Sequence, residues 1–405
     1  MQHIVLVVPA ESYRADAFLK AAARASQQLT ILTDADTPLS SETLRVTSMY
    51  PPDDEVSHLE AVLFDLEPSV VLGVDEASTR LAARLSDRVG LTSARSSAVE
   101  RAIDKAALRE TLAKAELNQP TFVVTTLQEL SMQTPEQIAA LIDSPTEDFV
   151  IKPTRETASR GVIRTSPATL AQDLAILANI QDPTSPILLE RYVDGEEFAL
   201  EGIMSENQLE VLMIFDKPDI GEGPYFWETT YVGPARLTPQ DQREIHSAVE
   251  RGARALGLSN TPIHAELRLA QSRATILEIA PRSIGGRCGA VIRFGDGQRL
   301  EDVILARALG DTTAVRPLHH DIGITMLPTP ARGVFQGVEG LEAARNVPGV
   351  TGIEITVTPG TLVYPPPLTD RYLGFIFAEG PGRQGVLQAL SRARSLITIQ
   401  IDADR

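Results

Sequence analysis

Two glutamates lie on neighbouring strands of a predicted β-hairpin near residue 270. Glu266 and Glu278 flank a short turn, Gln271-Ser272-Arg273, and a turn centred on Ser272 places them opposite each other because each is six residues away. Directly opposed like charges destabilise a sheet unless something neutralises them. Mg²⁺ beside nucleotide phosphates is commonly held through one or two carboxylates. The pattern therefore indicates a metal site, whereas a register shifted by one residue would place the acids on opposite, solvated faces.

A basic residue and a loop of small residues follow the second strand. Arg282 comes four residues after Glu278, and its guanidinium could hold phosphate or carboxylate oxygens in bidentate geometry. A surface arginine is the alternative. The next segment, Ser283-Ile284-Gly285-Gly286-Arg287, would let a substrate approach the backbone closely, although a structural bend would use similar residues.

Lysine is scarce in this chain, since five of the 37 basic residues are lysines. Lys152 ends the apolar strand Val150-Ile151-Lys152-Pro153, where it could present a compact charge to a phosphate. The turn Ser159-Arg160-Gly161-Val162 follows, and its backbone N–H groups and hydroxyl could cradle phosphate oxygens. The chain has no Walker phosphate-binding motif. A solvated strand end is the alternative interpretation of Lys152.

Two further segments carry weaker signals. Glu190-Arg191-Tyr192-Val193 precedes Asp194-Gly195-Glu196-Glu197, so a strand and turn there could offer backbone groups to adenine and a carboxylate to a ribose. A plain hairpin with exposed acids is the alternative. Glu228 lies beside the single tryptophan, Trp227, with other aromatic residues nearby. Such a cluster could attract an ammonium group, or it could be a local core patch.

Composition excludes several classes of protein. The formal charge of −17 argues against general binding of nucleic acid or anionic membranes. The single cysteine, Cys288, excludes an internal disulfide framework and Cys-rich zinc sites. No apolar stretch approaches the ~18 residues that a membrane helix needs, and the run from His3 to Ala10 lacks the features of a signal peptide. We expect a cytoplasmic protein.

The elements that must position these residues are of mixed α/β type. The first ~90 residues alternate strand and helix patterns, which predicts a parallel, Rossmann-type layer. No G-x-G-x-x-G follows its first strand, so dinucleotide binding is not indicated. A charged helix is predicted over Ser96–Ala115, and it carries Asp104-Lys105. Antiparallel hairpins and short strands dominate the rest, so the fold class is α/β with α+β lobes.

The order of the motifs resembles the ATP-grasp superfamily of carboxylate–amine ligases across nearly the whole chain. Within it, the likeness is strongest to bacterial L-amino-acid ligases, which make dipeptides. The motifs that carry the resemblance are, in order, Asp104-Lys105, Val150-Ile151-Lys152-Pro153, Ser159-Arg160-Gly161-Val162, Glu190 to Glu197, Pro224-Tyr225-Phe226-Trp227-Glu228-Thr229, Glu266, Glu278-Ile279-Ala280-Pro281-Arg282 and Gly374-Phe375-Ile376-Phe377-Ala378-Glu379-Gly380.

The resemblance implies an ATP-grasp fold in four parts. These are an N-terminal Rossmann-like domain (1–95), a linker helix with a small ATP-covering lobe (96–186), a large lobe with the metal and catalytic residues (187–310), and a C-terminal subdomain that completes the large lobe (311–405).

The resemblance also implies a role for each motif, with ATP and Mg²⁺ (or Mn²⁺) as cofactors. Arg282 and Lys152 would be catalytic. The ATP-binding residues would be Lys105, Lys152, Ser159, Gly161, Glu190, Tyr192, Val193 and Glu197. The metal ligands would be Glu266 and Glu278. The substrate contacts would be Glu228, Tyr231, Arg282, Gly285, Gly286 and Arg287.

The implied activity is the ATP-dependent joining of an amino acid to an amine or a second amino acid. It would run through an acyl phosphate and release ADP and phosphate. The partners would be small-molecule carboxylates and amines, with no nucleic acid and no membrane, and a homodimer is among the expected states. The alternatives are a biotin- or purine-type carboxylase of the same superfamily and a non-catalytic nucleotide-binding relative.

The chain departs from the family pattern at three places. Ala280 stands where the family usually has an asparagine ligand, and either water or His264, which would face Ala280, could fill that gap. The loop over the phosphates is poor in glycine, with the sequence Thr154-Arg155-Glu156-Thr157-Ala158. Tyr231 stands where many relatives have histidine, which leaves the amine-side contact open.

Overall fold

The N-terminal part of the chain forms the predicted parallel layer. The computed structural model describes residues 1–36, 42–142, 148–219, 223–227, 229–295, 297–316 and 320–403. The N-terminal elements are β1 (His3–Val7), α1 (Ala15–Ala25), β2 (Gln28–Thr33), β3 (Thr43–Arg45), α2 (Asp53–Leu66), β4 (Val70–Gly73) and α3 (Glu76–Arg88). The strands are parallel in the order β3-β2-β1-β4. Ile4 packs in the cluster that includes α1, whereas Val5 packs in the cluster that includes α2 and α3, so β1 is covered on both faces.

A small lobe follows, built on an antiparallel sheet. Its elements are α4 (Ser96–Ile103), α5 (Lys105–Lys114), β5 (Phe122–Thr126), α6 (Leu127–Ser131), α7 (Pro135–Leu141), β6 (Phe149–Pro153), β7 (Ile163–Thr165), α8 (Leu170–Leu177) and β8 (Pro186–Arg191). The sheet order is β5-β8-β6-β7. Strand β8 therefore lies in the small lobe, whereas the sequence prediction began the large lobe at residue 187. Residues 192–195 lead from this sheet into the next.

The single helix predicted over Ser96–Ala115 is wrong, because the structure divides it at Asp104. Asp104 has an extended ψ of 108°, and its carboxylate accepts hydrogen bonds from the backbone N–H groups of Ala106 and Ala107. Aspartate is a favoured helix N-cap for this reason. The break makes Lys105 the first residue of α5, and its backbone N–H donates to the carbonyl of Thr154 at 2.8 Å.

The large lobe and the C-terminal segment share one sheet. The large lobe contains β9 (Glu196–Ser205), β10 (Gln208–Asp219), β11 (Thr230–Gly233), α9 (Pro239–Leu256), β12 (Thr261–Ala270), β13 (Arg273–Ala280), a 3₁₀ helix (Cys288–Val291) and α10 (Leu300–Ala308). The C-terminal segment adds β14 (Asp321–Leu327), β15 (Gly333–Glu339), α11 (Leu341–Arg345), β16 (Val350–Ile355), β17 (Leu362–Val363), β18 (Gly374–Gly380), α12 (Arg383–Ser395) and β19 (Thr398–Asp402). The shared sheet has the order β13-β12-β9-β10-β11-β14-β18-β16, and a smaller sheet has the order β17-β15-β19. The C-terminal segment thus completes the large lobe, as expected.

Candidate active site

A cavity of about 1200 Å³ lies where the N-terminal layer, the small lobe, the large sheet and the C-terminal segment meet. Its volume exceeds that of most pockets for drug-sized ligands. Twelve of the residues selected from the sequence line it: Lys105, Lys152, Ser159, Glu190, Tyr192, Val193, Glu197, Glu266, Glu278, Arg282, Gly285 and Gly286.

The two candidate metal ligands face each other as predicted, but for a different reason. The turn is two residues long, Gln271 and Ser272, with φ values of 50° and 56°, which suit a tight hairpin turn. This turn alone would place Glu266 opposite Leu277. The register shifts between Leu267 and Glu266, so that Leu277 is left without a partner and Glu266 pairs with Glu278. A bulge at Leu277 therefore brings the two carboxylates to one face.

The bulge is held by a buried arginine that the sequence analysis did not select. Arg109 of α5 is 0% exposed, and its guanidinium donates to the carbonyls of Leu277 at 2.7 Å and Ile276 at 3.4 Å. Its Nε donates to Glu190 Oε1 at 2.7 Å, and Lys152 Nζ lies 2.7 Å from Glu190 Oε2. One guanidinium thus connects the hairpin that carries the two candidate metal ligands to Lys152 through Glu190. Its position four residues after Lys105, on the buried face of α5, is the signal that could have indicated it.

The charges in this buried group shift each other's titration. Burial lowers the pKa of Lys152 to about 8, against the raising effect of Glu190. Burial alone would raise the pKa of Glu190, but the charges of Arg109 and Lys152 outweigh it and hold that pKa below its ordinary value. The carboxylate of Glu190 is therefore a buried counter-ion for Arg109 and Lys152.

The loop that follows Lys152 is held by contacts with neighbouring parts of the chain. Lys105 Nζ donates to the Glu156 carbonyl at 2.6 Å and lies 3.9 Å from Glu278 Oε2. Ser159 and Gly161 have φ values of 58° and 73°. A Cβ atom at Gly161 would come within 2.9 Å of Cγ in the rigid ring of Pro153, and the positive φ also favours glycine there. Gly161 does not itself line the cavity, although Ser159 does.

The predicted ribose and adenine contacts lie in a network of charges. Glu197 Oε1 is 2.5 Å from Lys217 Nζ, and Glu197 Oε2 is 3.0 Å from Arg268 Nη2. The guanidinium groups of Arg164 and Arg268 lie 3.9 and 4.8 Å from the centroid of the Tyr192 ring. Lys217 is a cavity-lining lysine that the sequence analysis did not select, because nothing in its neighbourhood along the chain marks it.

Glu266 is surrounded by groups that favour its charge. Lys217 Nζ lies 3.1 Å from Glu266 Oε1, and His264 Nε2 lies 3.8 Å from the same oxygen. Burial opposes ionisation, but Lys217 and His264 hold the pKa of Glu266 well below its ordinary value. His264 pairs with Ala280 in the hairpin, as expected, and its Nδ1 lies 2.5 Å from Glu201 Oε1.

Some selected residues are not brought to the cavity wall. Tyr231 is completely buried, with its hydroxyl 3.5 Å from Glu266 Oε1. Arg287 donates to Glu354 at 2.8 Å and to the Tyr13 carbonyl at 2.9 Å, so it connects the large lobe to other parts of the fold. Glu228 lies outside the described residues.

Two family models match this chain. One, described as the ATP-grasp domain, covers residues 146–291, and the other, L-amino acid ligase C-terminal domain 2, covers residues 325–402. The chain therefore contains an ATP-grasp domain.

Individual proteins resemble parts or all of this chain. An uncharacterized protein of Sinorhizobium fredii is 27% identical over 73% of this chain and 60% of its own length. The alanine–anticapsin ligase of Bacillus subtilis is 27% identical over 50% of this chain and 46% of its own length. The chain thus spans less than two thirds of either relative. The crystal structure of an L-amino acid ligase from Bacillus licheniformis superposes with a TM-score of 0.83 at 21% identity, covering 99% of this chain and 100% of that one.

The carboxylates of this ATP-grasp site fit a magnesium ion that is also bound by phosphates. Among the described residues, no group of three or more His, Cys, Asp or Glu side chains is arranged to hold a metal ion without further ligands. Glu266 and Glu278 are directly opposed oxygen donors, and Mg²⁺ often takes one or two carboxylates and completes its shell with phosphates and water. His264 is held between Glu201 and Glu266, and these acids raise its pKa to about 9 despite its burial. Here it is a counter-ion for the two acids.

Within the described part of the chain, no helix is both long and apolar enough to cross a membrane.

Proposed function

We propose that this protein is an ATP-dependent ligase that joins an amino acid, or a similar carboxylate, to an amine or a second amino acid. The observation that carries the proposal is one cavity lined by two opposed carboxylates, Glu266 and Glu278, and by three cationic side chains, Lys105, Lys152 and Arg282. The L-amino acid ligase C-terminal domain supports this choice over the carboxylases of the same superfamily. The small-molecule substrates, the cytoplasmic location and a homodimeric state are parts of the proposal.

The reaction proceeds in two steps whose atoms balance. A carboxylate oxygen attacks the γ-phosphorus of ATP, the bond to the β,γ-bridging oxygen breaks, and ADP leaves. An amine nitrogen then attacks the acyl carbon, the carbon–oxygen bond to phosphate breaks, and phosphate and a proton are released. Phosphoryl transfer of this kind depends mainly on positioning and on stabilising the transferred charge.

The side chains divide these tasks. Lys105 and Lys152 bind phosphate oxygens, and Arg282 stabilises the negative charge on the acyl phosphate and on the tetrahedral intermediate that follows. Glu266 and Glu278 hold Mg²⁺, which neutralises phosphate charge when it is bound. The loop with Ser159 and Gly161 covers the phosphates and limits the access of water, which would otherwise hydrolyse the acyl phosphate.

The proposal also assigns the nucleotide and substrate contacts. The backbone from Glu190 to Val193 binds adenine, and Glu197 accepts the ribose hydroxyls. Glu228 belongs to the substrate side, with Gly285 and Gly286 in the loop beside Arg282. Tyr231 and Arg287, which do not line the cavity, are left out of this assignment. Each assignment is testable by substitution, with the KM for ATP separating the nucleotide contacts from the substrate contacts.

A screen of amino-acid pairs tests the proposed function. The full chain is incubated with ATP, Mg²⁺ and each pair, phosphate release is measured, and the product is identified by mass spectrometry. We expect amide formation with at least one pair and its loss in Glu278→Gln. Phosphate release without amide would contradict the ligase activity, and absence of ATP binding would contradict any ATP-grasp catalysis.

A further inference from the structure

The connection between β10 and β11 leaves the large sheet and reaches the small lobe. Both strands belong to the large sheet, but residues 223–227 between them, here called the aromatic segment, contact β7 at the edge of the small-lobe sheet. The backbone N–H of Arg164 donates to the Pro224 carbonyl at 2.6 Å, and Ile163 pairs with Tyr225 in an antiparallel bridge. Tyr225 also packs against the core of the small lobe. The start of the aromatic segment is therefore fixed to the small lobe.

The next residue of the aromatic segment contacts the turn that joins the small lobe to the large sheet. The ring of Phe226 lies 6.3 Å from the ring of Tyr192, centroid to centroid, with an interplanar angle of 22°. The guanidinium carbon of Arg268 lies 4.8 Å from the Tyr192 centroid and 6.0 Å from the Phe226 centroid. Aromatic pairs and cations near ring faces attract each other at such separations. These three side chains and Trp227 line the cavity, so the aromatic segment is also fixed to the proposed adenine contact.

A bound nucleotide acts on both of these contacts. The loop of residues 159–162 runs directly into β7, which holds the start of the aromatic segment. Phosphates bound under that loop restrain β7 and, through it, the segment. Adenine bound along the backbone of residues 190–193 restrains Tyr192, whose ring contacts Phe226. The two ends of one ATP molecule therefore restrain the two contacts of the aromatic segment.

We propose that Phe226 and Tyr192 are positioning residues through which bound ATP fixes the aromatic segment, including Trp227, in the cavity wall. The inference rests on the proposed function and adds an order of binding, in which the nucleotide precedes the amino acid. The aromatic segment leads along the chain into Glu228, the proposed substrate contact, so the substrate side is complete only after ATP has bound. The acid is thereby bound when its phosphoryl donor is already in place.

Fluorescence of the single tryptophan tests this coupling. Trp227 is the only tryptophan of the chain, so its emission reports on the aromatic segment alone. Quenching by acrylamide is measured on the full chain with Mg²⁺, before and after saturation with a non-hydrolysable ATP analogue, and calorimetry defines saturation for each variant. We expect the analogue to lower the quenching constant of the wild type, and we expect Phe226→Leu and Tyr192→Leu to lose this protection. Phe226→Leu should still bind the analogue, at most about tenfold more weakly, which is the contribution of one aromatic pair.

Phe64→Leu is the matched control, because Phe64 lies on α2, is 57% exposed and does not line the cavity. It should behave as the wild type, and Phe226→Tyr, which keeps an aromatic ring, should retain the protection. Protection of Trp227 that persists in Phe226→Leu would overturn the proposal, because the nucleotide would then shield the indole directly. A wild type that binds the analogue without protection of Trp227 would also overturn it. Because no turnover is needed, these results are independent of whether amide formation is found.

Discussion

Lys152 is the residue whose charge state bears most directly on the proposed binding of phosphate. Its pKa is lowered to about 8 because burial outweighs the attraction of Glu190. A phosphate contact requires the protonated form, which predominates below this pKa and is lost as the pH rises through it. ATP binding should therefore weaken above about pH 8. Calorimetric titration of an ATP analogue between pH 7.5 and 9.5 measures this.

Lys152→Arg supplies the comparison for this pH dependence. Arginine stays protonated across the same range, so the variant should show a much flatter profile, even if its absolute affinity is lower. A wild-type affinity that does not change across the range would show that Lys152 does not titrate in the binding reaction.

Replacing Ala280 tests whether the coordination shell of the proposed Mg²⁺ lacks an oxygen ligand at this position. Ala280 is 2% exposed and pairs with His264 across the hairpin. Asparagine would add an oxygen donor close to Glu278, so Ala280→Asn should need less Mg²⁺ than the wild type for half-maximal binding of the ATP analogue. Ala280→Leu, which is close to asparagine in size but adds no oxygen donor, is the control for steric effects. Identical Mg²⁺ dependence of wild type and Asn variant would count against a gap in the metal shell at this position.

At the scale of elements, the hairpin of β12 and β13 depends on helix α5. Arg109 holds the bulge carbonyls and Glu190 from a fully buried position. Its charge also lowers the pKa of Lys152. Arg109→Met should destabilise the fold by about 3–5 kcal/mol, because it leaves buried polar groups without their partner. It should also move the pH midpoint of ATP binding upward.

Arg101→Met is the control for this change, since Arg101 of α4 also donates to a backbone carbonyl, that of Leu256, but does not line the cavity. It should leave the pH midpoint where it is. Loss of stability in Arg109→Met without any shift in the midpoint would reduce Arg109 to a purely structural role.

The elements also show what sequence patterns can and cannot predict. The apolar run of β1 and the spacing of Glu266 and Glu278 were sufficient to predict a buried parallel strand and an opposed pair of glutamates. The bulge at Leu277 has no local signature, so the correct pairing was predicted from an incorrect turn. Asp104 is a recognisable helix N-cap, and the break between α4 and α5 could have been predicted from it.

Residues that act across long distances along the chain were the ones missed. Arg109 contacts the hairpin 167 and 168 residues later, and Lys217 contacts Glu266 49 residues later. Such contacts depend on the strand order within the large sheet and on how helices pack around it, which periodicity and local motifs do not encode.

At the scale of the whole molecule, a chain with a net charge of −17 concentrates cationic side chains in one cavity. Three of its five lysines, Lys105, Lys152 and Lys217, line that cavity. The acidic exterior disfavours general binding of polyanions, while the cavity can still bind a nucleotide triphosphate. ATP binding should consequently saturate at one site per chain, whereas duplex DNA should not be retained at physiological salt. Calorimetry and a filter-binding assay check these two expectations.

The most direct test of the acyl-phosphate mechanism traces a carboxylate oxygen of the substrate into the released phosphate. The carboxylate donor of an active pair is labelled with ¹⁸O in both oxygens and converted with ATP and Mg²⁺, and the released phosphate is examined by mass spectrometry. An acyl-phosphate ligase transfers one labelled oxygen to phosphate for each amide bond formed, and this is the predicted result. Amide formation with unlabelled phosphate would contradict the central claim, because the carboxylate would then not have attacked the γ-phosphorus.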